Sequence, residues 1–185
     1  MKAKVNKVTI QLVQGDILDF ALSGLITVTD PNLSLHPALL ARTGEGVKIE
    51  AAQIGWCEVG SAVITSAGLF EGVEKIIHAV GPRWGEGSER GKLANVTWEC
   101  LLLAEEHGLK ALTMPAISSG MLGYPLENCA TTMLTKIIDF TFEDLDHIRS
   151  ITVCLEHDNA YTIFQHELTR QLEELKQTGE GKILV

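Results

Sequence analysis

The stretch Met114-Pro-Ala-Ile-Ser-Ser-Gly-Met-Leu-Gly-Tyr-Pro125 gathers the small residues Ser118, Ser119, Gly120 and Gly123 between an apolar run and a helix-like pattern. A turn of that composition can aim several main-chain N–H groups into one concavity beside a positive helix end, which suits an anion such as a phosphate. The glycines permit positive φ and close approach of a ligand. Pro125 is expected at the first helical position, where its missing N–H is no loss. The same residues can also make a tight connection with no ligand. Asp16, following Gly15 at the end of an apolar segment, is placed either to touch a ligand or to cap a turn.

Other reactive side chains point to blander roles. His78, between Ile77 and Ala79, reads as a packed core histidine. His157 and Asp158 adjoin in sequence, but neighbours on a strand point apart, so a cap or surface role is expected. Ser118-Ser119 lacks a G-x-S-x-G frame, no Gly-Lys-Ser/Thr follows the glycines, and no G-x-G-x-x-G follows the first strand. Cys57, Cys100, Cys129 and Cys154 lie far apart with no CxxC, which predicts reduced, mostly buried thiols and no metal site; no cofactor is expected. Trp56, Trp84 and Trp98 are too dispersed for a stacking platform, although Trp84 could edge a pocket.

The elements that must position these groups follow from periodicity. Strands are predicted at 8–13, 25–28, 61–65, 75–80, 111–114 and 151–155. Helices are predicted, with interruptions at Gly44 and Gly46, over 37–54, on the Leu93–Ala104 face ending at Gly108, from Leu126 to Ile138, and after a cap at Asp158 or Asn159. Glu86 to Arg90 reads as an exposed turn. Such alternation implies a three-layer α/β/α sandwich with a mixed, mostly parallel sheet. Asp16, Thr29–Asn32, Gly81–Trp84 and Ser118–Tyr124 all then fall at strand ends, where open α/β sheets place ligands.

Length and composition set outer limits. With 185 residues and 45% hydrophobic content, one domain with a substantial core is expected over 8–175, with a lead-in at 1–7 and a tail at 176–185. A formal net charge of −9 disfavours duplex nucleic acid and anionic membrane as partners. No basic-then-apolar leader and no apolar run of spanning length is present, so a cytoplasmic location is expected.

Three segments together resemble the macro domain family: Val13-Gln-Gly-Asp-Ile17, Ile76-Ile-His-Ala-Val-Gly-Pro-Arg-Trp84 and the 114–125 stretch, with Gly60-Ser-Ala-Val-Ile-Thr65 similar to the strand before the second. The resemblance spans about Val8 to Leu175. It implies binding of ADP-ribose, a derivative or an ADP-ribosylated protein, and in some members hydrolysis of an ADP-ribosyl or O-acyl linkage. It implies that Asp16 accepts from the adenine amino group with Ile17 supporting it. It also implies that Ser118, Ser119, Gly120, Met121, Leu122, Gly123 and Tyr124 wrap the diphosphate and distal ribose.

The departures are as specific. Thr27-Val-Thr-Asp30 stands where the family reads Asn-Ala-Ala-Asn, and Leu33-Ser-Leu-His-Pro-Ala-Leu-Leu40, without glycine, replaces a glycine run. Side chains hold main-chain amides away from a phosphate, Pro37 removes one donor, and Asp30 adds negative charge. Glu156 or His157 falls near an aromatic that often stacks on adenine in the family; His157 could stack there, whereas Glu156 could not. The reading is therefore a binding module with weak or no hydrolysis. One alternative is a hydrolase in which Asp30, or His36, positions water, and another is a binder of a different phosphorylated, nucleotide-like compound.

Overall fold

Val8, Ile10 and Leu12 alternate with partly exposed neighbours and form strand β2 (Val8–Gln14), whose buried face meets the main core. The computed structural model describes all residues, 1–185. The other strands are β1 (Lys2–Val5), β3 (Gly24–Val28), β4 (Ala62–Ser66), β5 (Lys75–Ala79), β6 (Ala111–Pro115), β7 (Ser150–Leu155) and β8 (Ile183–Leu184). They join into one 8-stranded sheet in the order β4-β5-β3-β6-β7-β2-β1-β8. The central run β5-β3-β6-β7-β2 is parallel, and β4, β1 and β8 add antiparallel edges.

Helices α3 (Glu89–Glu106), α4 (Leu126–Phe140) and α5 (Asp158–Thr178) pack side by side on one face over Ile10, Leu12, Ile26, Ile77 and Val153. Helices α1 (Pro37–Thr43) and α2 (Glu45–Ile54) contribute Leu39 and Val47 to a smaller cluster with Leu25 and Ile76 on the opposite face. Adjacent residues in β3 and β5 thus feed opposite cores, as a strand buried on both sides requires. The expected three-layer α/β/α sandwich is the observed fold. No helix is long and apolar enough to cross a membrane.

Several boundaries differ from expectation. Only Gly44 divides 37–54, because it takes φ 79° between the two helices, whereas Gly46 lies inside α2. Glu89 and Arg90 belong to α3 rather than to a turn. Pro125 is the cap before α4, its carbonyl accepting from Cys129 N–H, and Leu126 opens the helix. His157, not Asp158 or Asn159, is the residue before α5, with its carbonyl accepting from Tyr161 N–H and its side chain making no capping bond; Asp158 instead accepts from the Gln14 side chain and ties the helix start to the end of β2. The segment 1–7 supplies β1, with Ala3 and Val5 buried, and the segment 176–185 ends in β8 paired with β1. A run as short as β8 has no readable period, and its place depends on the edge it meets.

His78 is a core residue, 1% exposed, with Nε2 2.8 Å from the Thr65 hydroxyl. That hydroxyl donates to Ser66 O, so it accepts from the imidazole N–H. Burial lowers the His78 pKa to about 4. Because the unfolded chain takes up this proton first, the contribution to stability is full above the unfolded value near 6.5 and is lost as pH falls towards 4. At about 1.4 kcal/mol per pH unit, the loss approaches roughly 3 kcal/mol. Thermal melts from pH 7 to 4 are expected to fall more steeply for the wild type than for His78→Gln, and parallel curves would refute this source of acid sensitivity.

Candidate functional site

The carboxyl ends of β2, β3, β5, β6 and β7 open into one crevice with three connected chambers. The first, about 280 Å³, is lined by Asp16, Ile17, His36, Cys154 and Glu156. The central one, about 470 Å³, lies over Ser118–Leu122 and reaches Glu156, His157 and the start of α5 at Asn159 and Ala160. The third, about 570 Å³, is bounded by Asp30, Ser34, Leu35 and His36 on one side and by Gly81, Arg83, Met121 and Leu122 on the other. Pro115, Cys154 and Glu156 join the first chamber to the central one, and Val28, Met121 and Leu122 join the central one to the third.

The loop after β6 is shaped by its own bonds. Tyr124 N–H donates to Ser118 O at 2.9 Å, Gly123 N–H to Gly120 O at 3.0 Å, and Ser119 N–H and Oγ to Ala116 O at 3.4 and 2.8 Å. The amides of Ser118, Gly120, Met121 and Leu122 have no acceptor in the protein. Unspent amides at the rim of a cavity form an anion-binding nest.

The neighbouring segment braces this loop. Trp84 N–H donates to Leu122 O at 2.9 Å, Arg83 reaches Met121 O at 3.5 Å, and the Trp84 ring meets Tyr124 edge-on at 5.0 Å. Ser118 sits at φ 67° with a buried hydroxyl that has no hydrogen-bond partner. That hydroxyl lies where a Cβ on Gly81 would be, 2.2 Å from it, so glycine is required at 81 for space and not for its dihedral angles.

Of the residues expected at the site, Asp16, Ile17, Ser118, Ser119, Gly120, Met121, Leu122 and His157 line the crevice. Gly123 and Tyr124 do not: their amides are used within the loop, and the buried Tyr124 ring faces a separate hollow with Trp84 and Glu127. Asp16 caps the 3-10 turn Ile17–Phe20 through Leu18 N–H with one carboxylate oxygen and lines the first chamber, so capping and ligand contact are compatible. His157 stands exposed beside Glu156, free to lie over a flat group.

Asp30 is in the third chamber, where one of its oxygens accepts from Asn32 N–H at 2.9 Å and Ser34 N–H at 3.3 Å. Thr29 Oγ donates to Ser34 O, and Leu33 is buried against Val80 and Cys57. The glycine-free wall is therefore a self-bonded turn pinned to a small core, and the crevice in front of it stays open.

Burial, with Asp16 and Glu156 nearby, pushes the Cys154 thiol at the crevice floor up to about 11, which disfavours the thiolate, and the thiol donates to Gly15 O. No group of three His, Cys, Asp or Glu side chains converges as a metal site requires. Sequence reasoning did not single out Val28, Pro115, Cys154 or Leu155. Each is a strand-terminal or next-to-last residue, and the strand-end rule that found Asp16 could have found them.

A mixed, mostly parallel sheet between two layers of helices, with an amide-lined crevice across the carboxyl ends of its strands, defines a protein of the α/β class. The family model for the macro domain matches residues 34–133, and the chain belongs to that family. It is 34% identical over 169 residues to O-acetyl-ADP-ribose deacetylase 2 of Pantoea vagans, covering 84% of this chain and 95% of that one. The Oceanobacillus iheyensis macrodomain with ADP superposes with a TM-score of 0.87 at 26% identity, covering 94% and 97% of the two chains. A variant of that macrodomain with ADPR gives a TM-score of 0.82 at 26% identity over 94% and 98%.

Proposed function

We propose that this chain binds ADP-ribose or an ADP-ribose derivative, free or attached to a protein. Adenine occupies the Asp16 chamber, the diphosphate lies over the loop, and the distal ribose enters the Asp30 chamber. The observation that carries the reading is the set of unpaired amides at Ser118, Gly120, Met121 and Leu122 fronting an open cavity. The structural neighbours with ADP and ADPR support the ligand class.

Calorimetry with ADP-ribose is expected to give a Kd below about 100 µM, well within the range of a specific small-ligand complex. Absence of heat at sub-millimolar ligand refutes the reading. Asp16→Ala is expected to weaken ADP-ribose by roughly tenfold or more, the effect of losing a hydrogen bond to a carboxylate. The same variant should bind ADP-ribose and its hypoxanthine counterpart equally, since the latter lacks the amino group. A preference for adenine that survives Asp16→Ala removes that contact from the scheme.

A second reading, hydrolysis of an ADP-ribosyl or O-acyl linkage, is supported by the deacetylase named among the relatives and by the open third chamber beyond Asp30. An aspartate beside the linkage could position water. Asp30→Asn retains an acceptor for Asn32 and Ser34 while removing the charge. Turnover of O-acetyl-ADP-ribose that drops at least about tenfold in that variant supports a general base; equal rates exclude it. The acidic surface and the buried, unpaired cysteines are consistent with a cytoplasmic protein whose partners are nucleotides or ADP-ribosylated proteins, not membrane or duplex nucleic acid.

A further inference from the structure

His36 stands in the rebuilt wall, the Ser34–Leu40 segment that carries side chains where a bare backbone would otherwise approach the ligand. Its ring lines the Asp16 chamber on one side and the Asp30 chamber on the other, and across the latter lie Met121 and Leu122 of the amide loop. No other side chain borders both of these chambers.

The local backbone decides which nitrogen can do what. His36 is the residue before α1, and its Nδ1 accepts the Ala38 N–H at 3.2 Å. A nitrogen that accepts carries no proton, so in the neutral imidazole the proton is on Nε2. Nε2 has no partner within the protein. The ring is thus held as a donor at its free end. A base at Nε2 would need the opposite tautomer, with Nδ1–H facing the Ala38 N–H, two donors in opposition.

We propose that His36 is a ligand-binding residue that gives its Nε2–H to an oxygen of the distal ribose or of the phosphate next to it, in the Asp30 chamber that it shares with Met121 and Leu122. A side-chain donor then serves this wall, which has no glycine, and with Nδ1 held as an acceptor His36 has no part as a general base. The proposal rests on the ADP-ribose reading of the crevice and specifies how its second wall takes part.

Two substitutions separate the donor from the cap. In His36→Asn the amide oxygen still accepts from Ala38 N–H, but the side chain is too short to reach the ligand. In His36→Gln the amide nitrogen reaches near the Nε2 position, and the cap is lost. Calorimetry of the full chain with ADP-ribose is expected to show about a tenfold or greater loss of affinity for His36→Asn at an unchanged melting temperature, and a loss of no more than about threefold for His36→Gln with a lower melting temperature. In the wild type, the His36 Nε2 resonance should shift on addition of ADP-ribose while Nδ1 keeps the signature of an acceptor. Wild-type affinity in His36→Asn overturns the assignment, as does an equal loss in both variants, since the shape of the loop and not a donor would then be responsible. Absence of binding by the wild type refutes the ADP-ribose reading itself and is distinguishable from either outcome.

Discussion

Gly81→Val is expected to weaken ADP-ribose binding by about a hundredfold. A Cβ at this position would fall 2.2 Å from Ser118 Oγ and 2.9 Å from Ile117 Cγ2, both behind the amide loop. A lone Cβ could be accommodated by rotation of the Ser118 hydroxyl and a small shift of Ile117, but the two further methyls of valine extend the overlap and must move the main chain. Overpacking of this kind costs about 1–3 kcal/mol, and here the strain is released into the loop that presents the amides. A displacement of 1 Å in those donors is enough to forfeit their alignment on an anion. Gly91→Ala is the matched comparison, since Gly91 lies in α3 outside the crevice and a Cβ there meets nothing within 4 Å. It should bind within about threefold of the wild type, because a side chain is added where it touches neither the loop nor the ligand. Wild-type affinity in Gly81→Val would show that the loop is not held from behind.

Phe140→Ala is expected to lower stability by about 3–5 kcal/mol, the range for removing a large aromatic from a core. Phe140 is buried at the end of α4 and meets Trp98 of α3 edge-on at a centroid distance of 5.0 Å. The truncation therefore removes apolar contact and an aromatic pair at the seam between two helices. For a chain of this size the melting temperature should fall by roughly 6–20 °C. Because Phe140 lies at the far end of α4 from the crevice, ADP-ribose affinity measured well below the melting temperature should be unchanged. A fall of less than about 1 kcal/mol would mean that Trp98 collapses into the space.

These two expectations address different parts of one design. The large core under α3, α4 and α5 keeps the parallel strands in register, and the register brings the segments after β2, β3, β5, β6 and β7 to one edge. The crevice is then made by loops that spend some of their main-chain groups internally and leave others free. Ser118 shows the local consequence: a serine with positive φ and an unpaired buried hydroxyl is an unfavourable arrangement, tolerated here because Trp84, Arg83 and Tyr124 brace the loop around it. The surface ion pair between Arg83 and Glu86, with both side chains more than half exposed, adds little to that bracing.

The parts of the protein legible from sequence were those governed by short-range regularity. Alternation along Val8–Val13 and the three- and four-residue spacing of Leu93, Val96 and Cys100 are local properties that reflect which face is buried, so the strands, the main helices and the α/β/α class could be read directly. The small residues of 118–123 likewise marked a turn that leaves main-chain amides unpaired beside a cavity, and His78 could be assigned to the core from its apolar neighbours.

What only the tertiary structure decided depends on contacts between residues remote in sequence. It turned Tyr124 inwards onto Trp84, spent the amides of Gly123 and Tyr124 inside the loop, and left those of Ser118, Gly120, Met121 and Leu122 open. It required glycine at 81 because Ser118 comes to rest against it. It kept the crevice open across a wall without glycine and turned His36 into it. Periodicity tells which side of an element is buried; the direction of a loop's donors is set by whatever packs behind it, and that is known only once the chain has folded.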